Sequence, residues 1–297
     1  MFFRKLSLLV FSVLFSFNLL AATANLRPSN SYEFGHNLPA PEDVMVNFGQ
    51  ASQVSLKKRF SMLVWNLHKG QDADFSKDYP ELSYKKDILV NQEMFLNPLM
   101  MTVFGDLPGY YFTSATSFFM GAEQFRTGVV TASKVNPISV KYIKTDTLEP
   151  VVSSPKMSLV SRFPINNSEK ILTVINIHGI NFVLGDDYRH EMEKIVNEVK
   201  DLPPPIIFTG DFNTWSDERV GILKEAMKKL HLNATHFFPD ERMKFNDHVL
   251  DHFLYTDDLR IVEAKVEGFY KGSDHKPLEV IVEYSPRPPS RRYRHRQ

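Results

Sequence analysis

Two histidines, a set of acidic and amide side chains and one glycine turn are the residues of this chain whose types can act together. Asn66 follows Val64-Trp65, Glu93 follows Asn91-Gln92, and His178 follows Ile175-Asn176-Ile177. Asp211 and Asn213 lie in Thr209-Gly210-Asp211-Phe212-Asn213, Asp251 precedes His252, and Asp274 and His275 follow Ser273. Asn66, Glu93, Asp211, Asn213, Asp251 and Asp274 offer oxygen, the donor set that suits Mg²⁺, with Mn²⁺ or Ca²⁺ as alternatives. His178 and His275 can move protons near neutral pH. Phosphate-ester hydrolysis needs that combination: a cation against the phosphoryl oxygens, a base for water, and an acid or metal for the leaving oxygen. The chain has no cysteine, so a thiolate metal site is excluded.

Each piece also has a plainer reading. A glycine followed by Asp-Phe-Asn is a common turn signal, a strand-end histidine is usually a hydrogen-bonded structural residue, and Asp274 could form a turn or cap a helix. Lys69, in Leu67-His68-Lys69-Gly70, reads as a solvated loop lysine in preference to a phosphate contact. No acidic partner for His178 is evident beyond Glu123.

Placing such residues together requires rigid strands that deliver them into loops. Runs rich in Val, Ile, Leu and aromatics recur at Phe60–Trp65, Asp87–Asn91, Tyr110–Ser114, Gly128–Ala132, Met157–Arg162, Ile171–Ile177, Ile206–Phe208, His252–Tyr255 and Leu278–Val282, and they predict buried strands. Helical patterns lie at Tyr188–Lys200, stopped by Pro203-Pro204-Pro205, and at Asp217–Leu230. No linker interrupts residues 60–285, so one domain is expected there. Its strands and interspersed helices fit an α/β class, a four-layer α/β/β/α sandwich with two mainly antiparallel sheets face to face.

The order of the motifs resembles the endonuclease/exonuclease/phosphatase superfamily, which includes deoxyribonuclease I, neutral sphingomyelinases and inositol-polyphosphate 5-phosphatases. Val64-Trp65-Asn66, Asn91-Gln92-Glu93, Ser133-Lys134-Val135-Asn136-Pro137, Ile175 to His178, Gly210-Asp211-Phe212-Asn213, Leu250-Asp251-His252 and Ser273-Asp274-His275-Lys276-Pro277-Leu278 follow the family's sequence of motifs. Asn91 and Lys134 depart from its usual residues. The resemblance implies that Glu93, assisted by Asn66 and Asp274, holds the divalent ion, and that Asp211 and Asn213 orient the phosphate and the attacking water. It implies that His275, oriented by Asp251, is base or phosphate ligand, and that His178 stabilises the phosphate or protonates the leaving group. Whether Asp211 or His275 takes the water proton stays open.

Residues 1–24 have a secretory layout: Arg4 and Lys5, an apolar run from Leu6 to Leu20, then Ala22-Thr23-Ala24. Export to periplasm or medium is expected, an uncleaved membrane anchor being the alternative. Residues 25–59 read as an extended lead-in, and residues 286–297 as a basic disordered tail. Without the leader and tail, 28 basic residues face 35 acidic ones, a body near −7, unlike a dedicated duplex-DNA binder. The favoured reading is a secreted nuclease acting on DNA or RNA. The alternative is a sphingomyelinase-like or inositol-phosphate phosphoesterase, with the Arg-rich tail able to touch nucleic acid or an anionic membrane. No feature points to a protein partner, so a monomer is expected.

Overall fold

In strand β2 (Arg59–Asn66) alternate side chains serve two cores. Phe60, Met62 and Val64 point into the space between two sheets, whereas Leu63 and Trp65 point outward beneath helices. The same period-two alternation, imposed by the pleat, recurs through both sheets of the computed structural model, which describes residues 38–150, 153–166 and 168–286.

The first sheet has seven strands in the order β1 (Met45–Gly49), β4 (Tyr111–Met120), β5 (Phe125–Ser133), β3 (Ile88–Phe95), β2, β15 (Leu278–Tyr284) and β14 (Leu259–Val266). The second has six, ordered β10 (Leu232–Ala234), β13 (Asp251–Thr256), β9 (Ile206–Asp211), β8 (Ile171–His178), β7 (Met157–Pro164) and β6 (Ser139–Lys144). Two short strands, β11 (Lys244–Phe245) and β12 (His248–Val249), pair separately. Each main sheet has one parallel pair, β2 with β3 and β8 with β9. A parallel pair needs a crossover, and each has a helical one: α1 (Phe75–Ser83) for the first and α3 (Gly185–Val199) for the second. Helix α2 (Pro98–Gly105) follows β3 and α4 (Asp217–Lys229) follows β9.

Side chains of β2, β3 and β15 meet those of β7, β8, β9 and β13 in the central core. Helices α1 and α2 cover the outer face of the first sheet, and α3 and α4 that of the second, which completes four layers. At one edge the cores give way to polar groups. Gln92 of the first sheet donates to Asn176 Oδ1 of the second at 2.7 Å, and Asn176 Nδ2 donates back to the carbonyls of Asn91 and Val130 at 3.1 and 3.0 Å. All four residues are buried, so this clasp ties the sheets together directly beneath Glu93 and His178.

The segment expected to be an extended lead-in, 25–59, contributes the edge strand β1, whose residues pair with Tyr111–Ala115 of β4; the folded domain therefore begins before Phe60. The expected leader and residues 287–297 of the expected tail lie outside the described residues. Among the described residues no helix is long and apolar enough to cross a membrane.

Candidate active site

Strand register sets the site. In the second sheet His178 is the pairing partner of Asp211 on the parallel side and Asp251 its partner on the antiparallel side. In the first sheet Asn66 pairs with Gln92, one residue before Glu93. The loop leading into β15 carries Ser273, Asp274 and His275, and is held there by Ser273 Oγ donating to Asn66 O at 2.7 Å and by Trp65 Nε1 donating to His275 O at 3.0 Å. All eight predicted site residues thus reach one edge of the two sheets.

They do not all enter one contact set. Asp211 is the centre: its Oδ2 accepts from Asn66 Nδ2 at 3.0 Å and lies 3.7 Å from His178 Nε2 and 3.8 Å from His275 Nε2. His275 Nδ1 is 2.8 Å from Asp251 Oδ2, so that carboxylate sets the ring's orientation. Glu93 Oε1 lies 3.4 Å from Asn66 Nδ2 and 3.9 Å from His178 Nε2. Asn66 Oδ1 accepts the His68 N–H at 3.0 Å, which turns the amide nitrogen toward both carboxylates. Asn66 is therefore a donor to Glu93 and Asp211, where an oxygen ligand was expected. Asn213, at φ 54°, donates from its backbone to Asp211 Oδ1 at 2.9 Å and from its side chain to Gly179 O at 2.9 Å; it shapes the Asp211 turn. Asp274 is half exposed, 3.8 Å from His68 Nδ1.

Gly210 at φ 136° makes the approach possible, since a Cβ there would sit 2.2 Å from Ile177 O and 2.9 Å from Gln92 Nε2. The turn beyond Asp211 is braced by Arg219 of α4, which is buried, donates to the carbonyls of Ile180, Val183 and Asn213, and stacks between Tyr188 and Trp215 at 4.3 Å from each ring centroid.

The charges are unequal. Burial, with Asp251 adding to it, lifts the Asp211 carboxyl to about 7 against the opposing His275 charge. Burial works against protonation of His275, but Asp251 and then Asp211 outweigh it and hold the imidazole well above its ordinary value. Burial and then Lys156 keep His178 well below it, so His178 is neutral. Burial disfavours the Glu93 carboxylate, yet Lys69, foremost, and Lys156 overcome that and keep it ionised far into acid.

Two residues here depart from expectation. Lys69, read as a solvated loop lysine, is mostly buried, and its ammonium hydrogen-bonds Glu93 Oε2. Glu123 faces solvent at the turn between β4 and β5, whereas His178 Nε2 faces Glu93 and Asp211. Nothing in the residue pattern marks Lys156, whose ammonium is 3.2 Å from buried Glu149 and whose charge acts on both Glu93 and His178. For Lys69 the signal was its position three residues after Asn66.

A divalent ion fits this donor set. Glu93 and Asp211 are carboxylates facing one amide, and burial raises Asp211 even against the opposing charge of His275. Another group of ligand types, Asp146, His190 and Glu191, has ligand atoms within 4.8 Å of one another. Asp146 Oδ1 accepts from Lys194 and Glu191 Oε1 from the N–H groups of Asp146 and Thr147, whereas Glu191 Oε2 is buried without a hydrogen-bond partner.

The family model of the endonuclease/exonuclease/phosphatase family matches residues 63–275. A UPF0294 protein of Vibrio cholerae serotype O1 is 32% identical over 235 residues, 78% of this chain and 80% of its own. An endonuclease/exonuclease/phosphatase family protein from Leptotrichia buccalis has the same fold at a TM-score of 0.59 and 16% identity, over 76% of this chain and all of its own. TDP2 of D. rerio, solved complexed with single strand DNA product, superposes at a TM-score of 0.52 and 15% identity, over 76% of this chain and 99% of its own. The ordered motifs, the two sheets that gather them at one edge and the match across residues 63–275 show that this chain belongs to the endonuclease/exonuclease/phosphatase family.

Proposed function

We propose that this chain is an exported, divalent-metal-dependent phosphodiesterase that cleaves nucleic acid, its resting state being a monomer. The observation that carries the reading is the placement of two histidines of opposite protonation around one carboxylate: His178 Nε2 and His275 Nε2 stand 3.7 and 3.8 Å from Asp211 Oδ2. His275, held protonated by Asp251, meets a phosphate as a cation. Asp211, lifted toward neutral pH, has the proton affinity of a base that accepts the proton of an attacking water. Neutral His178 orients a phosphoryl oxygen or the leaving oxygen. Asn213 fixes the Asp211 carboxylate through its backbone N–H. Glu93, with Asp274 nearby, would hold Mg²⁺ or Mn²⁺, which when bound supplies charge neutralisation at the phosphoryl oxygens. Members of the family act on phosphoesters, and the single-strand DNA product in the D. rerio relative favours nucleic acid over lipid among the substrates the fold admits.

The test incubates the mature protein and its His275→Ala form with plasmid DNA, RNA, sphingomyelin and soluble inositol phosphates, each with Mg²⁺, Mn²⁺ or EDTA. Cleavage of DNA or RNA that EDTA abolishes, and that falls by at least about 10³-fold in the variant, is expected. Cleavage of sphingomyelin or inositol phosphates alone would replace the nuclease reading, and inactivity on all four would overturn it.

A further inference from the structure

We propose that Lys69 is a tethered cation that holds Glu93 while the metal is absent, yields it to the arriving divalent ion, and turns to the substrate phosphate. The inference rests on the metal-dependent reading above and concerns how the site is loaded. Lys69 Nζ bonds Glu93 Oε2, and both side chains are 22% exposed, so the pair lies at the mouth of the site within reach of an entering ion.

The backbone on both sides of the pair is unusual. His68, Lys69 and Gly70 have φ of 46°, 58° and 65°, and Glu93 has φ 51° at a break in the β3–β5 pairing between Asn91 and Met94. Non-glycine residues enter this region at a cost and stay there only when their surroundings enforce it. Here the enforcement is specific: Asn66 Oδ1 takes the His68 N–H at 3.0 Å, Leu67 O takes the Gly70 N–H at 2.8 Å, and Gln92 O takes the Leu67 N–H at 2.9 Å. The turn that carries Lys69 is thus hung from Asn66 and from Gln92, the neighbour of Glu93. An incidental ion pair between a long lysine and a strand-end glutamate needs no such arrangement.

The chemistry of the two lysines near Glu93 separates them. Lys156 is committed to buried Glu149 at 3.2 Å. Lys69 has Glu93 as its hydrogen-bonded partner, with Asp274 the next acid acting on it. An ammonium on a flexible four-carbon stem can leave a carboxylate when a doubly charged ion competes for it, and a phosphate in the same site offers it new oxygens.

The experiment measures Mn²⁺ binding to the mature protein calorimetrically, at fixed pH and ionic strength and without substrate, for wild type, Lys69→Met and Lys69→Arg. Competition by inorganic phosphate against cleavage is measured alongside. Lys69→Met is expected to bind Mn²⁺ about tenfold more tightly and inorganic phosphate several-fold more weakly, with Lys69→Arg near wild type on both. Lys69→Gln repeats the measurement should the methionine variant lose the native near-ultraviolet spectrum. Unchanged or weaker Mn²⁺ binding in the neutral variants overturns the tethered-cation role and leaves the metal-dependent reading intact. Absence of Mn²⁺ binding in wild type and variants alike overturns both.

Discussion

Replacing Asn176 by alanine tests how the two sheets are held at the site. Asn176 lies in β8 with no exposed surface, accepts from Gln92 Nε2 at 2.7 Å and donates to Asn91 O and Val130 O at 3.1 and 3.0 Å. In Asn176→Ala the Gln92 amide becomes a buried donor without its partner, and Gln92 Oε1 already lacks one. One orphaned donor at about 1–3 kcal/mol and two lost donations at about 1 kcal/mol each give a cost of about 3–5 kcal/mol. For a domain of this size that corresponds to a fall in Tm of about 6–20 °C. Urea unfolding followed by fluorescence and far-ultraviolet dichroism reads it as a lower midpoint at unchanged slope. Adding Gln92→Leu removes the orphaned amide, so the double variant should be more stable than the sum of the single effects by at least about 1 kcal/mol. A cost below about 1 kcal/mol for Asn176→Ala, or strict additivity with Gln92→Leu, would mean that the clasp contributes no stability and that the sheets are held by the apolar core alone.

Asp251→Asn should lower the His275 pKa toward or below its ordinary value, because the 2.8 Å carboxylate is the largest influence raising it. A raised folded-state pKa contributes stability that is complete below about 6.5 and is lost as pH climbs through the folded value; the stability gap between wild type and Asp251→Asn should therefore be larger at pH 6 than at pH 9.5. An equal gap at both would show that His275 is neutral in the native protein. Gly210→Ala places a Cβ 2.2 Å from Ile177 O at φ 136° and should cost about 2–4 kcal/mol. Gly221→Ala in α4, where a Cβ meets nothing within 4 Å, should instead stabilise by about 0.5–1 kcal/mol. Calorimetric Tm values of opposite sign check the pair.

The strands that build the site were legible because burial on both faces leaves a mostly apolar run, as in Ile206–Phe208 and in Ile171–Ile177, where Thr173 and Asn176 are the polar residues. Elements at the edges were not. Strand β14 alternates exposed Arg260, Glu263 and Lys265 with buried or half-buried neighbours, a charged pattern suited to an edge that weakens the strand signal. Strand β1 spans five residues in a polar stretch. Helix α1 contains Pro80, which reads as a breaker although Phe75, Tyr79 and Leu82 present one apolar face to the sheet. Helix α2 is eight residues of nearly uniform apolarity with no polar face to reveal the period.

The site residues were legible as types at strand ends, but not as electrostatics, because a side chain's charge state depends on partners far away in sequence. His178 and His275 look alike in the chain. The fold gives one of them Asp251 at 2.8 Å and surrounds the other with burial and Lys156, which drives their proton affinities in opposite directions. Lys69 shows the same dependence. A lysine after Asn66 has no visible reason to be buried until β3 brings Glu93, 24 positions further along the chain, beside it. The pair then explains why the turn presents Lys69 inward, since a charge withdrawn from water needs a fixed counter-charge. An identical Leu-His-Lys-Gly segment on a loop with no facing carboxylate would stay solvated, and without Asn66 Oδ1 and Gln92 O to accept its N–H groups it would have little to hold three successive residues at positive φ.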